Sequence, residues 1–181
     1  MTNFTPIELE IRRNREQLEK LLYQSYPAFL QSIGFTLYMT ATFNRGAMPL
    51  HIMKATLRQY VKGVERDLLG KHFYKKPSEQ RLRGIFFAEK IDSNAHWHGG
   101  IVLPPAPADC TPEDFYSKAS WLLEHKWKHF VASGDVKVAD ARETSLSGCN
   151  YISKERWKAD HCDQIVFLQD FWRMSKPGRT G

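Results

Sequence analysis

Two histidines separated by one residue, His96 and His98, are the side chains of this chain best suited to chemistry. They belong to a segment in which an apolar run at 84–88 and a second apolar run at 99–103 flank the turn-forming residues 92–94. This pattern predicts a β-hairpin. Because side chains alternate across a strand, both imidazoles must project from the same face.

A carboxylate on the first hairpin strand can join the two imidazoles. Two registers of a hairpin that turns at 92–94 place Glu89 directly opposite His96 or His98, on their face. The register between them places Glu89 opposite Trp97, with the wrong orientation. Two imidazole nitrogens and one carboxylate oxygen form a mixed metal site that leaves coordination positions open. The alternative is a pair of half-exposed strand histidines.

The composition describes a soluble, basic protein. The chain has 181 residues, which suits one domain with a real core, and a formal net charge of +6, which favours polyanionic partners. Its cysteines, Cys110, Cys149 and Cys162, are odd in number and widely spaced, which indicates reduced thiols. No apolar segment approaches the length of a membrane span, so we expect a cytoplasmic protein, or one in the host compartment where its partner acts.

The elements that must position these groups follow from the periodicity of the sequence. A strict alternation of apolar and polar residues predicts the first strand, and helical spacing predicts two long helices. The expected order is strand Phe35–Phe43, helix Pro49–Leu69, hairpin strands Arg83–Ile91 and Ala95–Leu103, helix Pro112–Ser133 and strand Asp135–Ala139. This order predicts an α+β fold.

The chain divides into three parts. Residues 1–30 are expected to form an N-terminal helical extension, with a helix from about Pro6 to Tyr23, and residues 175–181 a disordered tail. The domain between them is 31–174. In the helix that starts at Pro112, the spacing places Trp121 and Trp127 outside the main apolar stripe.

A second pair of candidate catalytic residues lies towards the C-terminus. Tyr151 and Lys154 are three positions apart and share one face if the segment after Gly148 is helical. A tyrosine can attack phosphorus as a covalent nucleophile, and a neighbouring ammonium group can favour its phenolate or stabilise charge on the phosphate. A surface tyrosine beside a solvated lysine is the ordinary alternative.

Together these motifs resemble the HUH endonuclease domain of rolling-circle replication initiator (Rep) proteins, of the single-tyrosine type. His96-Trp97-His98 resembles the HUH motif, and residues 151–154 resemble the Tyr-x-x-Lys motif. The strand that begins at Phe35 resembles the first Rep motif, although its continuation at 38–42 departs from the family pattern. The resemblance covers roughly residues 35–157.

The resemblance implies a fold and a reaction. The fold is a central antiparallel β-sheet flanked by helices. His96, His98 and Glu89 would hold Mg²⁺ or Mn²⁺, which polarises the scissile phosphate of single-stranded DNA at an origin. Tyr151 would attack this phosphate and form a 5′-phosphotyrosine intermediate, Lys154 would assist, and a later 3′-hydroxyl would rejoin the strands.

The resemblance also implies partners. The substrate would be single-stranded DNA carrying an origin hairpin. The sequence has no Gly-x-x-x-x-Gly-Lys-[Ser/Thr] phosphate loop, so we expect a separate helicase and the host replication machinery to cooperate with this chain, and no membrane partner.

Six residues are candidates for contact with DNA. They are polar or basic and lie on the outward face of the first strand, in the turn after it, or in a segment where basic and aromatic residues interleave. They are Tyr38, Thr40, Asn44, Arg45, Lys75 and Lys76.

Three alternatives compete with the replication initiator. Relaxases and single-strand transposases share the metal and the tyrosine, so the reaction is easier to assign than the biological role. A non-catalytic protein could bind nucleic acid on an open sheet by base stacking. A metallo-phosphoesterase would use water, with Tyr151 only structural.

Overall fold

The alternating and helical patterns of the sequence become five strands and two long helices. The computed structural model describes residues 28–141 and 163–173, together with the single positions 5, 10, 13, 17 and 25. In this part of the chain the elements are β1 (Leu37–Thr42), α1 (Leu50–Leu69), β2 (Arg83–Glu89), β3 (His96–Val102), α2 (Pro112–Phe130), β4 (Val136–Asp140), β5 (Ile165–Phe167) and the short α3 (Asp170–Arg173). The predicted helix from Pro6 to Tyr23 falls mostly outside the described residues, and the tail at 175–181 falls wholly outside them.

The strands form one antiparallel sheet in the order β4-β1-β3-β2-β5. This confirms the predicted α+β class with an antiparallel sheet and flanking helices. The strand that carries both histidines, β3, lies in the middle of the sheet between β1 and β2. A central position fixes its backbone on both sides by hydrogen bonds, which is a rigid base for a site.

Both long helices pack on the sheet face opposite the histidines. Leu37, Met39 and Ala41 of β1 are buried there, as the alternation in β1 predicts. Tyr60 of α1 ties this layer together, because its hydroxyl donates to the carbonyl of Leu123 in α2 at 2.6 Å. Burial raises the pKa of Tyr60 well above its ordinary value, so the hydroxyl stays a donor.

The second helix departs from prediction in two ways. It begins at the expected Pro112, where Thr111 accepts a hydrogen bond from the backbone N–H of Asp114 at 3.1 Å, but it ends at Phe130. Trp121 is 56% exposed as expected, but the placement of Trp127 off the core was wrong, since this residue is fully buried. The indole of Trp127 donates to the carbonyl of Thr42 at 2.9 Å and so joins α2 to β1.

The opposite face of the sheet carries a smaller apolar cluster. It consists of Leu30, Phe35, Ile85, Phe87 and Ala141. Gly100 of β3 makes room for it, because a Cβ at this position would stand 2.5 Å from the ring of Phe35. The candidate metal ligands lie on this same face, next to the cluster, because Phe87 pairs with His98 across β2 and β3.

Candidate metal centre

The hairpin register brings three ligand groups together. Glu89 pairs with His96 across β2 and β3, which is one of the two registers that place Glu89 on the face of the histidines. A carboxylate oxygen of Glu89, Oε2, lies 3.2 Å from Nε2 of His96 and 3.5 Å from Nε2 of His98. The ligand atoms of all three residues lie within 4.8 Å of one another. The predicted triad is therefore formed in space.

The two imidazoles are held in defined orientations. Nδ1 of His96 lies 2.7 Å from the carbonyl oxygen of Asn94, and Nδ1 of His98 lies 2.8 Å from Oγ1 of Thr40. A carbonyl can only accept, so the proton of His96 is on Nδ1 and Nε2 points towards Glu89. The rings stand nearly perpendicular, at 86°, with centroids 4.7 Å apart. Such contacts at the far ring nitrogen orient metal-binding histidines in proteins.

The donor set fits a divalent cation. Ligand bonds of about 2.1 Å in an octahedral site place neighbouring ligand atoms about 3 Å apart. The distances from Glu89 Oε2 to the two Nε2 atoms are only slightly longer, at 3.2 and 3.5 Å. The side chains of His96, His98 and Glu89 are 9%, 6% and 10% exposed, so small rotations would complete such a site in a mostly dry environment. Three protein ligands leave further positions for water or a phosphate oxygen.

Local sequence explains why this face carries the ligands. Trp97, between the histidines, is fully buried on the helix side of the sheet and anchors the alternation of β3. Exposed turn residues 92–94 close the hairpin, with the N–H of Ser93 donating to the carbonyl of Lys90 at 3.0 Å. A slip of one residue would exchange the buried indole and the histidines, at a large cost in buried apolar area.

Two of the residues predicted to contact DNA lie beside the triad. Thr40 pairs with His98 across β1 and β3, and Tyr38 pairs with Gly100 on the same face. Thr40 contacts a ligand ring directly, whereas Tyr38 packs edge-on against Phe35 with ring centroids 5.9 Å apart. Thr40 is therefore placed to orient the imidazole of His98.

Asn44 and Arg45 contact the turn between α2 and β4. The Asn44 amide donates to the carbonyl of Ser133 at 2.9 Å and to the carboxylate of Asp135 at 2.7 Å. Nε of Arg45 donates to the hydroxyl of Ser133 at 3.0 Å. Both side chains therefore hold β1 against this turn.

Lys75 and Lys76 lie elsewhere. Lys75 ends a short 3-10 segment, Phe73–Lys75, that follows α1, and Lys76 comes directly after it and lines a cleft of about 1100 Å³ beside the C-terminal half of α1. This cleft lies at the start of β2, and the triad lies at its end. The six candidates thus fall into separate groups, of which only Tyr38 and Thr40 lie on the face of the triad.

The same cleft contains a buried ion pair that the sequence did not suggest. Glu65 of α1 accepts from Nε of Arg81 at 3.0 Å and from Nη2 at 2.6 Å, and also from the backbone N–H of Leu82 at 3.2 Å. Burial raises the pKa of Glu65 above its ordinary value, while the bonds and charge of Arg81 act in the opposite direction. Sixteen positions separate the partners, so no local pattern links them.

The candidate nucleophile cannot be placed. Tyr151 and Lys154 lie outside the described residues, so their distance to the triad stays a prediction. Sequence reasoning missed the carbonyl of Asn94 as a partner of His96, and it assigned Thr40 to DNA. The alternation of β1 could have indicated the second contact, since Thr40 faces the histidines once β1 pairs with β3.

Comparisons of the chain with protein-family models, with curated proteins and with solved structures found no match. Among the described residues, no helix combines the length and the apolar character needed to cross a membrane.

Proposed function

We propose that this chain is a metal-dependent endonuclease and strand transferase that nicks single-stranded DNA, of the replication-initiator type. The observation that carries the proposal is the convergence of Nε2 of His96 and Nε2 of His98 on one carboxylate oxygen of Glu89. A structural role does not require hydrogen bonds at Nδ1 that direct both Nε2 atoms towards the same oxygen. A ligand set for a cation does require such oriented imidazoles.

In this proposal each residue of the triad has one task. His96, His98 and Glu89 would hold Mg²⁺ or Mn²⁺, and the ion would supply Lewis acidity towards a non-bridging oxygen of the scissile phosphate. The carbonyl of Asn94 and the hydroxyl of Thr40 keep both Nε2 atoms directed into the site. The low exposure of the triad limits competition from water.

The bond-breaking step is assigned to Tyr151 from the resemblance described above. Its phenolate oxygen would attack phosphorus, forming a phosphotyrosine bond while the bond from phosphorus to the 3′-oxygen breaks. The 3′-oxygen leaves and takes a proton, and Lys154 would stabilise the phenolate before attack. A later attack by a 3′-hydroxyl on the same phosphorus reverses the step and rejoins a strand without ATP.

The test is covalent capture of DNA. A pool of single-stranded oligonucleotides labelled at the 3′ end is incubated with Mn²⁺ and the full chain, and the products are separated on a denaturing gel. The wild type should give a labelled, protease-sensitive protein–DNA band, because the 5′-phosphotyrosine retains the 3′ part of the strand. Tyr151→Phe, His96→Ala and wild type with EDTA should give none.

The other outcomes identify the competing functions. Cleavage by Tyr151→Phe but not by His96→Ala would indicate a metallo-phosphoesterase that uses water. Binding without cleavage or adduct, on a pool that contains the recognised sequence, would indicate a non-catalytic nucleic-acid-binding protein. Relaxase-type and transposase-type enzymes would give the same adduct, so the gel tests the reaction and sequencing of the captured strand tests the role.

A further inference from the structure

The cleft beside α1 is built from three separate parts of the chain. Helix α1 supplies one wall, the segment from Phe73 to Ser78 supplies a second, and residues 169–172 after β5 supply a third. Arg83, at the start of β2, also lines the cleft. Arg83 and Glu89 are the two ends of this strand, so the cleft begins about 20 Å from the triad at ~3.3 Å per residue. It is therefore a separate site.

The charge of the cleft favours an anion. Among the described residues, five cationic side chains line it, Arg58, Lys62, Lys76, Arg81 and Arg83, and Glu65 is the single acidic one. Glu65 is occupied by Arg81, with both carboxylate oxygens bonded to the guanidinium. Of the other four cations, Arg83 interacts with the exposed Glu79, whose pKa is lowered by its hydrogen bond from Ser78 and by the charge of Arg83. Arg58, Lys62 and Lys76 face no carboxylate among the described lining residues, so the wall keeps an excess of positive charge.

Aromatic side chains stand beside these cations. The guanidinium of Arg81 lies 4.4 Å from the ring centroid of Trp172 and 5.3 Å from that of Phe73. Tyr74, at the rim, is 58% exposed. A large exposed ring next to lysines and arginines is the composition that binds a base by stacking and its phosphate by charge.

Three lining residues have buried polar atoms without a hydrogen-bond partner in the described part of the chain. They are two donors, Nε of Arg58 and Nε1 of Trp172, and one acceptor, Oε1 of Gln169. Buried polar groups are nearly always paired, because an unpaired one costs about 1–3 kcal/mol. These atoms have almost no accessible surface, so a ligand in the cleft pairs with them only when their side chains turn towards it, and it must then offer acceptors for the two N–H groups and a donor for the amide oxygen.

We infer that this cleft binds a nucleotide, with its phosphate on the cationic wall and its base against the exposed ring. Phosphate oxygens accept from guanidinium, ammonium and indole N–H groups, and the amino group or ring N–H of a base donates to the amide oxygen of Gln169. Binding needs neither the metal ligands nor Tyr151, so the inference is independent of nicking. The nucleotide can belong to a single strand of DNA or be free in solution.

Binding is measured on the full chain in EDTA, so that the triad cannot contribute through a metal. Fluorescence anisotropy follows a labelled oligothymidylate, and titration calorimetry follows a free nucleoside monophosphate. Tyr74→Ala, at an exposed position that should not disturb folding, should weaken binding about tenfold through lost stacking. Lys62→Glu should weaken binding and reduce the slope of log K against log salt by about one.

The matched control is Lys118→Glu, which makes the same change of charge on an exposed position of α2. It should leave affinity and salt slope close to wild type. Binding of the oligonucleotide alone identifies a DNA strand as the source of the nucleotide, and binding of the monophosphate alone identifies a free nucleotide. Binding of neither, or equal losses in Lys62→Glu and Lys118→Glu, would overturn the inference.

Two assays on the same proteins separate this inference from the proposed nickase: probe binding in EDTA, and formation of the covalent adduct with Mn²⁺. If Tyr74→Ala and Lys62→Glu bind the probe more weakly than the wild type but no protein forms the adduct, the nickase proposal fails and the nucleotide cleft stands. If the adduct forms but Tyr74→Ala and Lys62→Glu bind the probe normally, the cleft fails and the nickase stands.

Discussion

Two largely buried carboxylates, Glu65 and Glu89, differ in the groups that face them. Glu65 accepts two hydrogen bonds from the guanidinium of Arg81, a cation that has donors and no acceptor. Glu89 shares one oxygen between two imidazoles, and each of these can present a lone pair instead of a proton. The guanidinium of Arg81 therefore neutralises Glu65. Glu89 and the two imidazoles instead form a group of ligand atoms that can bind a metal cation.

The groups that face Glu65 and Glu89 distinguish a carboxylate in a structural ion pair from one in a candidate metal site. A buried ion pair with full hydrogen bonding needs no further ligand, and removing one partner destabilises the fold because the other charge stays buried without a partner. A cluster of two imidazoles and a carboxylate changes its properties when a cation is added. The stability of the fold should therefore respond to mutation at the Glu65 site and to metal addition at the Glu89 site.

Removal of the Arg81 side chain should have the largest effect. Arg81→Ala leaves Glu65 buried without its cation, and the free energy of unfolding should fall by about 3–5 kcal/mol. Urea unfolding with and without the substitution measures it. The double variant Glu65→Leu with Arg81→Met is the control, and it should recover most of the loss. A loss below about 1 kcal/mol in Arg81→Ala would show that Glu65 is not a buried charge.

Metal addition should have the next largest effect, and only at the triad. Mn²⁺ at 100 times its dissociation constant should stabilise the wild type by about 2.7 kcal/mol, because it binds the folded state alone. Thermal unfolding of His98→Ala should show little of this shift, whereas Arg81→Ala should show all of it relative to its own baseline. An equal shift in His98→Ala and wild type would place the metal elsewhere.

Removal of the hydroxyl behind His98 should weaken metal binding moderately. Thr40→Val keeps the shape of the side chain but removes the partner of Nδ1, and loss of such a contact typically lowers metal affinity about 10-fold to 100-fold. Calorimetric titration with Mn²⁺ measures it. Thr40→Ser retains the hydroxyl and should bind nearly as well as the wild type, a result that a general packing defect would not give.

The smallest effect is expected at an exposed ion pair. The hydrogen bond from Lys126 holds the pKa of Asp67 below its ordinary value, and Arg66 acts in the same direction. A lowered pKa stabilises the folded state above the unfolded-state pKa of about 3.9, and this contribution disappears as pH falls through the folded-state pKa. Asp67→Asn should therefore cost less than about 1 kcal/mol at neutral pH and nothing in strong acid. Unfolding at several pH values tests the sign.

The sequence predicted those features that depend on local periodicity. The alternation in β1, the long helix α1 and the hairpin are confirmed, because each is set by which side chains of a continuous segment are apolar. The triad follows from the observed register, which is one of the two that place Glu89 on the face of His96 and His98. The contacts that orient the imidazoles were not predicted, and the Thr40 contact needs the pairing of β1 with β3.

Features that depend on packing between distant segments were not predictable. Strand β5 has three residues, too few for a periodic signal, and it brings Trp172 to the cleft. The burial of Trp127 depends on the carbonyl of Thr42, which is 85 positions away. Helix α2 ends at Phe130, and the chain beyond it is bonded to β1, because the hydroxyl of Ser133 donates to the carbonyl of Phe43 at 2.8 Å. None of these contacts leaves a local pattern.

The hydrogen bond between the carbonyl of Asn94 and the ring of His96 gives the hairpin turn a role in the candidate site. Exposed turns between strands are usually the most permissive positions for inserted residues, tags or epitopes. Here the turn supplies the carbonyl that fixes the tautomer of a candidate metal ligand, His96, two residues before that ring. The length and backbone conformation of the turn therefore belong to the candidate site. Although the residues at 92–94 are exposed, insertions here should therefore disturb His96 and be tolerated less well than in an ordinary hairpin turn.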